Sequence, residues 1–169
     1  MNTGQMLLTL GALILLSTLT LRVNTSQLTT QDTMQNSKFG VLAVSVASSI
    51  MEEASEKAFD EKSVENSIDD TKSLSKRDKN GFKTDPGENP DSSNTFDDFD
   101  DFDGYSKIDT SMPSAVFDVS CIVNYVDPDK KDFITTKSTW HKQLIVTVSS
   151  PSMLDTIQMT KIFSYWKFP

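Results

Sequence analysis

The densest chemistry in the chain lies in residues 96–105, FDDFDDFDGY, where Asp97, Asp98, Asp100, Asp101 and Asp103 fall within seven residues, interleaved with Phe99 and Phe102. Carboxylates this close repel one another unless a cation or a set of N–H donors offsets their charge, and calcium takes oxygen ligands of this kind. The run Asp101-x-Asp103-Gly104 matches part of a calcium loop, with Phe99 standing where the first ligand belongs and no glutamate closing the loop. A second reading is metal-free: a solvated acidic loop pinned to the fold by Phe96, Phe99, Phe102 and Tyr105. Calcium at the five aspartates is the one cofactor this pattern suggests.

Little else in the sequence points to reactive chemistry. One cysteine and one histidine are too few for a zinc or thiolate–imidazole site. Cys121 lies in a run with strand periodicity and reads as a small core hydrophobe, while His141, between Trp140 and Lys142, reads as a strand-edge residue. The sequence has no triad spacing, no Gly-rich phosphate loop and no other paired carboxylates, so an enzyme is not expected. The formal net charge of −8 argues against a nucleic-acid partner, which needs a basic face. That charge is concentrated in residues 61–110, which hold 14 acidic and 7 basic residues.

The elements that must carry these residues begin with an apolar helix. Residues 1–21 contain no ionisable side chain, and Arg22 ends the run. As a helix, residues 5–21 reach about 25 Å, close to the roughly 30 Å of a hydrocarbon core. Lys or Arg before the run and a small-x-small site after it would mark a secretory signal, and neither is obvious. Residues 5–24 therefore read as a membrane or assembly helix, with Leu7, Leu8, Leu10, Leu13, Ile14, Leu15, Leu16, Leu19 and Leu21 as its contact residues.

Helical periodicity resumes further on and predicts an amphipathic continuation over residues 25–61. Phe39, Leu42, Val46 and Ile50 fall on one stripe with Ala43, Ala47, Ala54 and Ala58, opposite Glu52, Glu53, Glu56, Lys57 and Glu61. The Thr/Ser/Gln/Asn tract 25–37 between the two apolar stretches is a mediocre helix former. Residues 62–114 read as an acidic loop region. Residues 115–169 alternate apolar and polar over 116–126, 143–149 and 156–166, which predicts an antiparallel sheet of three to four strands. Its apolar face needs a cover, and the stripe from Phe39 to Ile50 is the candidate. The expected class is α+β, a long N-terminal helix on a small antiparallel sheet. The sheet is too short to cover all of that helix, so the first half must be buried in lipid or among other copies.

This layout resembles type IV pilin-like proteins, including minor pilins and type II secretion pseudopilins. Gly4 followed by Gln5-Met6-Leu7-Leu8 is similar to a prepilin peptidase junction, which implies a leader of residues 1–4. The stretches VASSIMEEA and KAFDE and the FDDFDDFDGYS segment are also similar to features of that group. Thr9 stands where pilins carry a glutamate, and no basic residue occurs in the leader. An unpaired carboxylate in an apolar bundle is costly, so a threonine is tolerated there if packing sets the register.

The resemblance implies a structural subunit of an extracellular filament, inserted in the inner membrane before assembly by a prepilin peptidase and pilus machinery. The helices of identical subunits would bundle in its core. Two other readings stay open: a minor pilin or pseudopilin, and a single-pass anchored surface protein that binds a partner or calcium. Tyr165, Trp166 and Phe168 at the C-terminus are candidates for packing on a neighbouring subunit.

Overall fold

A computed structural model describes residues 2–79, 81–83, 85–130 and 133–166. Helix α1 (Thr3–Ser55) is continuous over 53 residues, about 80 Å at 1.5 Å per residue. The weak tract 25–37 stays helical, and its threonines turn their hydroxyls inward. Thr25, Thr29, Thr30 and Thr33 each donate to the carbonyl four residues earlier, at 2.8–3.0 Å.

The chain divides between Lys38 and Phe39 into two units. In the first, residues 2–35 are exposed throughout. In the second, the remainder of α1 buries Ala43, Val46, Ala47, Ile50, Met51 and Ala54 in one core with the sheet, and Phe39 and Leu42 pack partly buried against it. Spacings of three and four residues put these side chains on one stripe, so all four expected packing residues lie on the covered face.

The sheet has five antiparallel strands: β1 (Ser106–Asp109), β2 (Phe117–Val126), β3 (Ile134–Thr135), β4 (His141–Ser149) and β5 (Ile157–Ser164). Their order is β1-β2-β4-β5, with β3 paired to the end of β2. Cys121 lies opposite Val146, and Val146 opposite Met159. The inward residues of β2 are Phe117, Val119, Cys121, Val123 and Tyr125, and those of β4 are Lys142, Leu144, Val146 and Val148. The α+β class is as the sequence implies. The two extra strands lie outside the expected runs. β1 has no alternation to betray it, since its one large apolar residue, Ile108, is exposed, and only pairing with β2 makes it a strand.

The helix ends earlier than its periodicity suggests. α1 stops at Ser55, and Ala58 runs extended, donating its N–H to Asp97 O and accepting from Phe99 N, both at 3.0 Å. Asp60 then caps a new short helix, α2 (Glu61–Glu65). Its carboxylate accepts from Lys62 N while the Ser63 hydroxyl accepts from Asp60 N, a reciprocal capping box. The supposed stripe residue Ala58 thus bridges to the acidic segment instead of extending the helix.

Candidate functional site

The acidic segment is held inside the domain by its aromatics. Phe96, Phe99, Phe102 and Tyr105 are all buried, with Phe96 edge-on to Phe102 and Tyr105 at centroid distances of 5.1 and 5.4 Å. Glycine and polar turns between these anchors then aim the aspartates in different directions. Of the five candidate ligands, Asp98 and Asp101 meet carboxylates from other segments, while Asp100 and Asp103 are held at separate places.

Asp103 is a structural staple. Its Oδ1 accepts from Val123 N and its Oδ2 from Phe82 N, each at 2.8 Å, with Arg77 3.7 Å away. Arg77 Nε in turn donates to Val123 O at 2.8 Å. These side chains serve the edge of β2 between its pairings with β1 and β3, where a neighbouring strand would otherwise supply donors and acceptors. Gly81 makes the approach feasible: its φ is +109°, and a Cβ there would run into the Asp103 carboxylate.

Asp100 belongs to a second centre, built around a lysine in the core. Lys142 shares the inward parity of Leu144, Val146 and Val148 and is wholly buried. Its ammonium donates to the Phe59 carbonyl at 2.8 Å, to Asp60 Oδ2 at 2.9 Å and to Asp100 Oδ1, and it lies 4.5 Å from the centroid of the Phe59 ring. A charge here is tolerable because all three protons find acceptors.

The two aspartates are not equivalent. Asp60 also accepts from Ser75 N, Ser75 Oγ and Lys62 N. Burial pulls its carboxyl upward, but the Lys142 charge and these hydrogen bonds outweigh that and hold it below the usual range. Asp100 has Lys142 alone, its Oδ2 has no hydrogen-bond partner among the described residues, and burial pushes it up to about 8. The Tyr125 hydroxyl, 2.7 Å from the Ser75 carbonyl and 3.3 Å from Asp60 Oδ2, closes the network.

Asp98 and Asp101 face a third place, with carboxylates from two other segments. One oxygen each from Glu61, Asp85 and Asp98 lie within 4.8 Å of one another, and so do one oxygen each from Asp85, Glu88 and Asp101. Asp98 Oδ1 accepts from the amides of Asp100 and Asp101 at 2.7 and 3.2 Å. Asp101 Oδ2 accepts from Asp98 N at 3.1 Å and Glu88 Oε1 from Asp97 N at 3.2 Å. The other oxygen of Asp98, Oδ2, is buried without a hydrogen-bond partner among the described residues. Burial first, and then neighbouring carboxylates, push Asp98 up to about 9. Burial, then a side-chain hydrogen bond with Asp101 and the Asp101 charge, raise Glu88 to about 8, and burial with neighbouring carboxylates also raises Glu61 and Asp85. Glu61, Asp85 and Glu88 were not legible as partners of Asp98 and Asp101, because they lie 10 to 40 residues away from them in the chain. Asp97 is exposed and contributes its amide to this place.

The remaining candidates fall elsewhere. Leu7, Leu8, Leu10, Leu13, Ile14, Leu15, Leu16, Leu19 and Leu21 are all exposed, at 58% or more of their surface. Gly4 and Gln5 lie in the first turn of α1, and Thr9 turns its hydroxyl onto the Met6 carbonyl at 2.9 Å. Cys121 is buried, and burial pushes its thiol up to about 12. His141 begins β4, with Nδ1 2.8 Å from Ser164 Oγ. Tyr165 faces inward, stacked on Trp140 and accepting from Ile68 N, while Trp166 is exposed and Phe168 lies outside the described residues. No protein-family model, curated protein or solved structure matches the chain.

Proposed function

We propose that the chain is a structural subunit of an extracellular type IV pilus-like filament, held by α1 in the inner membrane before assembly. The observation that carries this reading is the contrast within α1. From Phe39 onward its apolar stripe is buried in the domain core, yet the more apolar residues 6–21 are exposed on every side. Leucines exposed all round a helix need an apolar surrounding, and lipid and a bundle of like helices both supply one. The helix is long and apolar enough to cross a membrane. The hydroxyls of Thr9, Thr18 and Thr20 are satisfied by backbone carbonyls of the same helix, so they carry no unmet hydrogen bond into either environment.

A filament follows from a head-to-tail contact that does not close on itself. Thr9 replaces the charge that pilin-like subunits place at this depth, so packing of Leu7, Leu8, Leu10 and Leu13 sets the register. Electron microscopy of surface filaments, with mass spectrometry of their subunits, tests the reading. Filaments in which this chain is abundant support it, and a low copy number beside another major subunit makes it a minor pilin or pseudopilin. Recovery only as detergent-solubilised monomers overturns it in favour of a single-pass anchored surface protein. Sequencing the mature N-terminus decides processing: Gln5 indicates peptidase cleavage after Gly4, and Met1 an uncleaved subunit.

A further inference from the structure

We propose that Glu61, Asp85, Glu88, Asp98 and Asp101 bind calcium, and that the ion ties the start of α2, the 85–88 turn and the acidic segment into one closed domain. The proposal concerns the domain alone and holds whether or not the chain assembles.

Acidic clusters are common on protein surfaces, and what separates this one is Asp98. It has no exposed surface, contributes an oxygen to the first carboxylate triad, and leaves Oδ2 without any hydrogen-bond partner among the described residues. A buried anionic oxygen with no donor is costly enough that native structures nearly always satisfy it. Asp101, 8% exposed, adds a second buried carboxylate to the neighbouring triad, where its side chain is hydrogen-bonded to Glu88. Backbone amides hold one oxygen of Asp98, so its free oxygen is oriented before any ligand arrives.

Two lysines that reach the acidic segment are committed elsewhere. Lys142 is taken by Asp60, Asp100 and the Phe59 carbonyl. Lys57 donates to the Phe96 carbonyl at 2.6 Å. Lys62, whose charge opposes the rise of Glu61 and Asp85, is exposed. Lys142 acts on Asp98 through its charge alone, its three protons being taken elsewhere, so a divalent ion is the cation that would bind these five carboxylates directly.

The donor set selects which ion. All ligands are hard carboxylate oxygens, with no imidazole or thiolate to favour zinc or copper. Magnesium holds its ligands at about 2.1 Å in a strict octahedron, whereas calcium takes more oxygens at longer and less regular distances. Irregular loops from three segments also suit the adaptable coordination of calcium. Asp85 belongs to both triads, so it is the residue through which the two share an ion or bridge a pair.

The test uses the full chain in detergent, stripped with EDTA and dialysed into buffer at 150 mM salt. Isothermal titration with calcium chloride is expected to give at least one equivalent of saturable binding, and calcium at 1 mM to raise the thermal midpoint by about 5 °C or more, with magnesium much weaker. Asp98→Asn keeps a carbonyl oxygen for the amides of Asp100 and Asp101 while removing the ionisable carboxyl. It is therefore expected to melt higher than wild type in EDTA and to lose the calcium-induced rise. Asp85→Asn, at a half-buried position, weakens calcium binding at least tenfold without that gain. A wild-type protein that takes up no calcium at 5 mM, or an Asp98→Asn variant that keeps the full calcium response, overturns the proposal.

Discussion

The first half of α1 and the acidic segment 97–103 invert the usual rule in opposite senses. The most apolar stretch of the chain is exposed, and three of its most crowded carboxylates, Asp98, Asp100 and Asp101, are buried. Neither arrangement is stable on the domain's own account. Exposed leucines call for apolar partners, and buried carboxylates call for cations. The second demand is half met from within, since Lys142 answers Asp60 and Asp100 while Asp98 keeps a free oxygen. The difference teaches that a chain can leave either kind of surface unfinished where an outside partner completes it.

The largest effect expected on this comparison comes from charging the apolar side. Leu13→Lys should abolish filament formation, seen by electron microscopy, while far-ultraviolet circular dichroism of the domain is unchanged; filaments that persist would remove residues 6–21 from the assembly core. Next is the removal of the internal cation. Lys142→Met leaves two carboxylates buried together and should cost about 3–5 kcal/mol in urea unfolding of the full chain in detergent. Adding Asp100→Asn should recover part of that loss, and an unaltered unfolding midpoint in the single variant would mean that the ammonium carries no net stability.

The pH response sharpens the comparison further. Asp98 is raised to about 9, and Glu88 and Asp100 to about 8, in each case with burial as the largest cause. A carboxyl raised on folding contributes stability below its unfolded value that is lost as pH rises through the folded value, whereas Asp60, lowered on folding, contributes above 3.8 and loses it as pH falls. In EDTA the thermal midpoint should therefore be highest in mildly acidic buffer and decline toward pH 9. Saturating calcium should flatten that decline, because the ion binds the ionised carboxylates. A midpoint that climbs steadily to pH 9 in EDTA would contradict this account of the buried aspartates.

The smallest effect tests how the acidic segment is held. Gly81→Ala puts a side chain against Asp103 at a φ of +109°, and should cost about 1–3 kcal/mol in the same unfolding measurement. No loss would mean that the Asp103 staple gives way freely.

Much of the fold is legible in the residues themselves. The stripe Phe39, Leu42, Val46 and Ile50 and the alternations of β2, β4 and β5 are periodic signals, and they place the core correctly. The same parity marks Lys142 as an inward residue of β4, in step with Leu144, Val146 and Val148, so the buried ammonium had a signal that hydrophobic patterning passes over. Other features had none. β1 has no apolar alternation, and α1 ends at Ser55 without a glycine or proline to announce it; the tertiary bridge from Ala58 to the acidic segment prevails over helical periodicity there. Local motif reading grouped the aspartates by their closeness in sequence. The fold instead sorts them by which side of each phenylalanine anchor they leave from, and joins them to Glu61, Asp85 and Glu88.

Asp60 and Asp100 precede Lys142 by 82 and 42 residues, which gives the domain an order of completion. Until β4 has been synthesised, the two aspartates have no ammonium to close around, and long-range contacts of this kind form late. The apolar start of α1 leaves the ribosome well before that. On the reading proposed above, the helix can therefore find the membrane while the rest of the chain is still unfolded, and the domain closes only after its anchor is in place.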